Sequence, residues 1–128
     1  MSQFDHLVVV VADDDPDMRE LLRLWIEAMG ARVVDAGDGA NALHHARLEL
    51  PHVIITDLKM PGVDGWSLLQ LIKSERQLSR VPVVAISGDA SRAMLLKTKQ
   101  AGFSGYLVKP VTKAAVEAEF RRILPHVP

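Results

Sequence analysis

Five polar residues of this sequence stand at the ends of short apolar runs, and their side chains could together bind a metal ion and an oxyanion. The apolar runs are Leu7–Ala12, Val53–Thr56, Val83–Ile86 and Tyr106–Val108, and the polar residues are Asp13, Asp14, Asp57, Ser87 and Lys109. If the runs are parallel strands of one sheet, their carboxyl ends meet at one edge. Three carboxylates do not stay ionised side by side without a cation. The set therefore predicts a metal site next to an oxyanion such as a phosphoryl group.

Asp57 is the member of this set that could act as a nucleophile. It follows Val53–Thr56 and precedes Met60-Pro61-Gly62, a segment in which proline and glycine disfavour a helix. An aspartate held at such a strand end can attack phosphorus and form an acyl phosphate. Taken alone, this residue would more often be an ordinary loop or helix-capping aspartate. Its predicted neighbours favour the chemical role.

Asp13 and Asp14 are predicted to hold the metal ion. Adjacent carboxylates at a strand end can both reach one cation, and hard oxygen ligands suit Mg²⁺, with Mn²⁺ as the alternative ion. The other interpretation is that they stabilise the N-terminus of the following helix. Asp15 before Pro16 already supplies the N-cap there, which favours the metal role for the two residues before it.

Lys109 and Ser87 are predicted to contact the oxyanion. A lysine ammonium can pair with Asp57 and then with phosphoryl oxygens, and a cis bond to Pro110 would aim it inward. The Ser87 hydroxyl can donate to the same oxygens, and Gly88 leaves the approach open. The alternatives are an exposed surface lysine and a simple Ser-Gly turn.

Strands and helices alternate along the chain and must position these residues. The predicted strands are Leu7–Ala12, Arg32–Ala36, His52–Thr56, Val81–Ile86 and Tyr106–Val108. Helices are predicted from Pro16 to Gly30, from Gly39 to about Glu49, from Asp64, over Ala90–Gln100 and over Thr112–Leu124. Continuous apolar strands are typical of a parallel sheet covered by helices on both faces. We therefore predict an α/β fold, (βα)5, with a doubly wound five-stranded parallel sheet in the flavodoxin-like order 2-1-3-4-5.

The apolar spacing also predicts which helical residues face the core. For the first helix these are Met18, Leu21, Leu22, Trp25 and Met29, and for the third they are Leu68, Leu69, Leu71 and Ile72. His44 and His45 are interpreted as helix surface, because adjacent helical residues point about 100° apart. Trp25 and Trp66 are interpreted as packing residues.

The composition is that of an ordinary folded protein. Of 128 residues, 48% are hydrophobic and 24% are charged, and the net charge of −1 gives no overall electrostatic case for nucleic acid. The absence of cysteine excludes disulfides and a thiol nucleophile. No apolar stretch reaches the roughly 20 residues of a membrane helix, and the N-terminus lacks signal-peptide features. We expect a cytoplasmic protein with no membrane or nucleic-acid partner, and a single domain over residues 1–128 with its core at about 7–124.

Several motifs with other chemistry are absent. There is no G-x-G-x-x-G after the first strand, no P-loop and no G-x-S-x-G elbow. Four segments instead resemble the receiver domain of bacterial response regulators in two-component signalling, including chemotaxis regulators. They are Val8–Pro16, Asp57–Gly65, Ser87-Gly88 and Gly105–Pro110, and they occur in the same order along almost the whole chain.

The resemblance implies a phosphoacceptor function. Asp57 would accept the phosphoryl group of a phosphohistidine on a sensor histidine kinase or a histidine phosphotransfer protein. Mg²⁺ would be held by Asp13, Asp14, Asp57 and the backbone carbonyl of Lys59, while Lys109 would pair with the phosphoryl oxygens. Ser87 and Tyr106 would form a switch that alters the face of helix 4, strand 5 and helix 5 for a downstream effector. The chain would have no output domain, and it would not be an enzyme beyond its own phosphorylation and dephosphorylation.

Two other functions stay open at this stage. A stand-alone aspartyl-phosphate phosphatase would also use Asp57, although Lys59 stands where such an enzyme would carry its general acid. A pseudo-receiver would act only as a protein-interaction module.

The segment before Tyr106 differs from that of regulators that dimerise through helix 4 to helix 5. It reads Ala101-Gly102-Phe103-Ser104-Gly105 and lacks their Asp-Asp pair.

Overall fold

A computed structural model describes residues 4–124, and residues 1–3 and 125–128 of the predicted domain lie outside the described part. The strands are β1 (Val8–Ala12), β2 (Arg32–Ala36), β3 (Val53–Asp57), β4 (Val83–Ser87) and β5 (Gly105–Val108). The helices are α1 (Pro16–Ala28), α2 (Gly39–Glu49), α3 (Gly65–Ser74), α4 (Arg92–Ala101) and α5 (Lys113–Ile123). All four strand pairings are parallel, in the order β2-β1-β3-β4-β5. The predicted fold and strand order are confirmed.

The central strands β1, β3 and β4 are almost entirely buried because helices cover both faces of the sheet. Val9 and Val11 of β1 belong to a core cluster with residues of α1 and α5, whereas Val10 and Ala12 belong to a second cluster with residues of α2 and α3. Successive strand residues point to opposite faces, so a continuous run of valines fills both clusters. Among residues 4–124, no helix is long and apolar enough to cross a membrane.

Each helix begins at a polar side chain that caps its first turn. The caps are Asp15, Asp38, Asp64, Ser91 and Thr112. Each accepts a hydrogen bond from a backbone N–H that has no partner within the helix. The predicted capping role of Asp15 is confirmed, and α3 starts directly after Asp64, the residue from which that helix was predicted. The helices that follow β1 and β3 therefore begin at the edge of the sheet where the predicted site residues lie.

Two predicted core residues are exposed instead. The exposed fraction of Leu21 is 42% and that of Leu71 is 37%. In α1 the core positions are filled by Leu22, Ile26 and Met29, spaced four and three residues apart. Leu21 lies about 100° round the helix from Leu22 and faces away from the sheet. Apolar spacing alone did not distinguish these two leucines from their buried neighbours.

The strand ends also differ slightly from the prediction. β4 begins at Val83, two residues later than predicted, and α4 begins at Arg92 because Ser91 is its cap. Asp57 and Ser87 are the last residues of β3 and β4, where the prediction had them just after the strands. Both residues therefore belong to the paired sheet, with Asp57 opposite Ile86 and Ser87 opposite Val108.

Candidate functional site

Three carboxylates meet at the carboxyl edge of the sheet. One oxygen each from Asp13, Asp14 and Asp57 lies within 4.8 Å of the other two, a separation that a single metal ion could bridge. Asp13 and Asp57 are buried, whereas Asp14 is exposed. The parallel register brings β1 and β3 side by side, with Ala12 opposite Thr56, so the next residues along each strand are neighbours. The predicted carboxylate cluster is thus present.

Asp13 has one carboxylate oxygen that is satisfied and one that is not. Oδ1 accepts a hydrogen bond from the backbone N–H of Asp15 at 2.9 Å. Oδ2 is the one buried side-chain nitrogen or oxygen among the described residues that has no hydrogen-bond partner. Burial raises the pKa of Asp13 to about 6, the Asp15 hydrogen bond partly opposes this, and the negative charge of Asp57 adds to it. A buried oxygen without a donor fits a cation, and an all-oxygen donor set suits Mg²⁺.

Asp57 is held between two elements. Its Oδ1 accepts the backbone N–H of Lys59 at 3.1 Å, and its Oδ2 accepts from the Lys109 ammonium at 2.8 Å. Partial burial lowers the pKa of Lys109, but the hydrogen bond and charge of Asp57 outweigh it, so the pKa lies above the ordinary value. The peptide bond from Lys109 to Pro110 is cis. Lys109 therefore faces Asp57 as a full positive charge.

Ser87 and Tyr106 are connected through the loop after β4. The Ser87 hydroxyl oxygen accepts from the backbone N–H of Asp89 at 3.1 Å. The Tyr106 hydroxyl donates to the backbone carbonyl of the same residue, Asp89. Ser87 is buried near Asp57, while Tyr106 is half-buried on β5. One short loop thus joins the predicted hydroxyl donor to the predicted switch aromatic.

Gly65 allows α3 to begin against the loop that follows β3. A Cβ atom at this position would collide with the Asp57 carbonyl oxygen and would lie 2.8 Å from the Leu58 Cα. The Gly65 N–H donates to the Leu58 carbonyl at 3.1 Å, which ties the start of the helix to that loop. The loop carrying Lys59 is therefore held in place from the C-terminal side.

Two cavities open on the loop that follows β3, and Asp57 lines one of them. The larger, about 460 Å³, is lined by Asp14, Leu58, Lys59, Met60, Pro61, Asp64 and Trp66. The other, about 350 Å³, is lined by Asp57, Leu58, Lys59, Trp66, Ser87, Gly88, Asp89, Met94 and Lys109. Asp57, Ser87 and Lys109 share the second cavity, so an oxyanion there could contact all three.

Two residues at the site were not predicted to belong to it. Trp66 borders both cavities as well as packing on Phe103, so its interpretation as a packing residue was incomplete. Arg19 donates from Nη1 to the backbone carbonyl of Asp13 at 2.9 Å. The position of Trp66 two residues after the cap Asp64 was a usable signal for a residue at this edge. His44, by contrast, lies exposed on α2, as expected for a helix-surface residue.

An open parallel α/β sheet with three carboxylates, a lysine and a hydroxyl at its carboxyl edge defines a class of protein. It is a flavodoxin-like domain whose site suits a divalent cation and an oxyanion. The family model described as "Response regulator receiver domain" matches residues 9–121. The chain therefore belongs to the response regulator receiver domain family.

Known proteins support this assignment over most of the chain. Chemotaxis protein CheY-3 of Vibrio cholerae is 30% identical over 119 residues, which cover 92% of each protein. The solved structure of V. cholerae CheY4 is 26% identical with a TM-score of 0.86 and covers 91% of this chain and 98% of that one. The receiver domain of a sensor histidine kinase from Pseudomonas aeruginosa PAO1 is 25% identical with a TM-score of 0.85, covering 93% and 98%. That receiver domain was solved with a magnesium ion coordinated in its active-site cleft.

Family membership identifies the broad function. Receiver domains are phosphoacceptor signalling modules of two-component systems, and they interact with histidine kinases or phosphotransfer proteins and with downstream effectors. Neither the phosphatase nor the pseudo-receiver interpretation is needed to account for the chain.

Proposed function

We propose that this chain is a Mg²⁺-dependent receiver in which Asp57 accepts the phosphoryl group. The observation that carries the proposal is the position of the Asp57 carboxylate between the Lys109 ammonium at 2.8 Å and the cluster it forms with Asp13 and Asp14. One side of Asp57 thus faces a fixed positive charge, and the other faces the carboxylates of Asp13 and Asp14, which suit a cation. That arrangement supports attack on phosphorus more than a structural role for Asp57.

The residues would divide the work of phosphoryl transfer as follows. A carboxylate oxygen of Asp57 attacks phosphorus, the bond from phosphorus to the histidine nitrogen of the donor breaks, and the imidazole leaves with the electron pair. Asp13, Asp14, Asp57 and the backbone carbonyl of Lys59 would hold Mg²⁺, or Mn²⁺ in its place. When bound, the ion neutralises charge on the phosphoryl oxygens. Lys109 and Ser87 are placed to bind those oxygens after transfer.

The same residues offer a route for the signal. An acyl phosphate on Asp57 would accept a hydrogen bond from the Ser87 hydroxyl, and turning that hydroxyl towards the phosphoryl group would break the bond that its oxygen now accepts from the Asp89 N–H. Movement of that loop changes the acceptor of the Tyr106 hydroxyl, which is the Asp89 carbonyl. We therefore propose Ser87 and Tyr106 as the switch, with α4, β5 and α5 as the responding face.

The proposal implies a particular set of partners. The donor would be a phosphohistidine of a sensor histidine kinase or a histidine phosphotransfer protein in the cytoplasm, and the recipient of the signal an effector protein. Residues 1–128 would act as a single receiver, with no direct binding to nucleic acid or membrane. The chain would catalyse only its own phosphorylation and dephosphorylation.

The proposal is tested by labelling the protein with acetyl phosphate in the presence of Mg²⁺. We expect one phosphoryl group per chain, stable in acid and lost in alkali, with no label in Asp57→Ala. The matched control is Asp38→Asn, since Asp38 caps α2 and asparagine caps equally well, so labelling should be retained. Label that persists in Asp57→Ala would sink the assignment.

A further inference from the structure

We propose that Arg19 is a positioning residue for the metal site. Its guanidinium, anchored by Asp35, holds the backbone of Asp13 and thereby sets the affinity of the site for Mg²⁺. The inference rests on the proposed function, because it assumes that Asp13 is a metal ligand. Arg19 itself would touch neither the ion nor the phosphoryl group.

Arg19 contacts two acceptors with two different nitrogens. Nη1 donates to the Asp13 carbonyl at 2.9 Å, and Nε lies 3.3 Å from Asp35 Oδ2. The side chain is only a quarter exposed, so the contacts are partly shielded from water. A guanidinium is planar and presents its donors in a fixed fork, so anchoring one nitrogen fixes the direction of the other.

Asp35 is the anchor because it is held by more than Arg19. It belongs to β2, directly beside β1, with Val11 as its register partner. Its other carboxylate oxygen pairs with Arg23, one helical turn after Arg19. The carboxylate therefore lies between two arginines of α1 and cannot turn freely.

The backbone of Asp13 is thus held on both sides. Its N–H donates to the Ala36 carbonyl of β2 at 3.1 Å, and its carbonyl accepts from Arg19. With Oδ1 held by the Asp15 N–H, the direction of the buried Oδ2 is determined by these contacts. Arg19 also packs against the turn after β2, where a Cβ atom on Gly37 would lie 3.2 Å from Nη1. A larger residue there would therefore press on the Arg19 guanidinium by a few tenths of an ångström.

The contact between Arg19 and the Asp13 carbonyl matters for Mg²⁺ binding, because this ion requires near-ideal octahedral geometry from its ligands. Loss of groups that orient metal ligands typically weakens binding by about 10- to 100-fold. Arg19 acts on the backbone of one ligand among several, so we expect about tenfold, the lower end of that range.

The experiment compares Arg19→Met with Arg23→Met in the full chain by calorimetric titration with MgCl₂. Arg23 shares the Asp35 anchor, but it donates to the Val33 carbonyl instead of the Asp13 carbonyl. We expect the dissociation constant for Mg²⁺ to rise about tenfold in Arg19→Met and to stay within about twofold in Arg23→Met, where Arg19 still holds both the Asp13 carbonyl and the Asp35 carboxylate. Arg19→Lys should also bind more weakly, because one ammonium cannot hold both acceptors in the same geometry.

A kinetic readout distinguishes positioning from a general loss of structure. If Arg19 acts through the metal, the labelling rate of Arg19→Met with acetyl phosphate should recover when Mg²⁺ is raised about tenfold. A rate that stays low at saturating Mg²⁺ would overturn the inference. So would an unchanged dissociation constant in Arg19→Met, or equal weakening in the Arg23 variant.

Two further outcomes have defined meanings. If Arg19→Met does not fold, Arg19→Lys and Asp35→Asn are titrated instead, and unchanged Mg²⁺ affinity in both overturns the inference. If the unsubstituted protein itself fails to bind Mg²⁺, the proposed function fails, and the inference fails with it. Failure of the proposed function is seen in the unsubstituted protein, whereas failure of the Arg19 inference alone is seen only in the variants. The two failures are therefore distinguishable.

Discussion

At the scale of single residues, Lys109 is the cation that Asp57 contacts directly. Its ammonium lies 2.8 Å from Asp57 Oδ2 and is partly buried, and its pKa lies above the ordinary value for a lysine. A compact charge of this kind can follow the phosphoryl oxygens as they approach Asp57. We therefore expect Lys109 to contribute more to the rate of phosphoryl transfer than to the binding of Mg²⁺.

Replacing Lys109 by methionine should slow labelling by acetyl phosphate about 100-fold, because one fixed donor to a developing oxyanion is typically worth that much. The affinity for Mg²⁺ should not fall, since the substitution removes a positive charge near the ion. Labelling rates at saturating Mg²⁺ measure the first effect, and calorimetry measures the second. Lys113→Met is the control, because Lys113 is exposed at the start of α5. A labelling rate within threefold of the unsubstituted protein (about 0.7 kcal/mol in the barrier) would contradict this role.

At the scale of elements, the first turn of α3 connects the site to α4. Trp66 borders both cavities, and its ring meets Phe103 edge-on with centroids 5.5 Å apart. The ammonium of Lys97 on α4 lies 4.9 Å from the centre of the same ring. A displacement of the loop around Lys59 would therefore reach α4 through an aromatic ring as well as through Tyr106.

Trp66 should report ligand binding by its fluorescence. Mg²⁺ binding or phosphorylation changes the charge beside the cavities that Trp66 lines, whereas Trp25 packs on the opposite core cluster with α5. We expect the emission change to be lost in Trp66→Phe and kept in Trp25→Phe. A fluorescence titration with MgCl₂ measures this, and a change that survives in Trp66→Phe would refute it.

At the scale of the whole molecule, the site weakens the metal-free fold. The chain has a net charge of only −1, but three carboxylates are gathered at one edge and one of them is fully buried. Burial raises the pKa of Asp13 to about 6 from 3.8, so the folded state holds a proton that the unfolded state would release. The contribution of Asp13 to the free energy of unfolding is therefore greatest below about pH 3.8 and is lost as the pH rises through 6.

Asp13→Asn should accordingly stabilise the metal-free protein at pH 7.5, by up to about 3 kcal/mol from 1.36 kcal/mol per pKa unit. The gain should shrink as the pH falls from 6 towards 4, because Asp13 is then protonated in the folded protein. Urea unfolding with EDTA at several pH values measures it. Added Mg²⁺ should stabilise the unsubstituted protein and have little effect on the variant. A gain that does not change with pH would contradict the assignment of the cost to the Asp13 charge.

The order of elements could be predicted because each depends on residues close together in the chain. Asp15 and Pro16 start α1, Asp64 starts α3, and continuous valines form strands buried on both faces. The failures at Leu21 and Leu71 arose where a helix has more apolar residues than its buried face can hold. Which leucine packs is decided by the sheet beneath the helix, and local periodicity does not contain that information.

What the sequence determined by itself was the meeting of Asp13, Asp14, Asp57, Ser87 and Lys109. Parallel strands place their carboxyl ends at one edge, so residues that end them must converge. Only the tertiary structure decided that Asp13 is buried with Oδ2 unsatisfied, and that Arg19 and Asp35 hold its backbone. Those features depend on contacts between α1, β1 and β2, whose geometry arises from packing. Convergence follows from topology, whereas the orientation of each ligand follows from its neighbours in space.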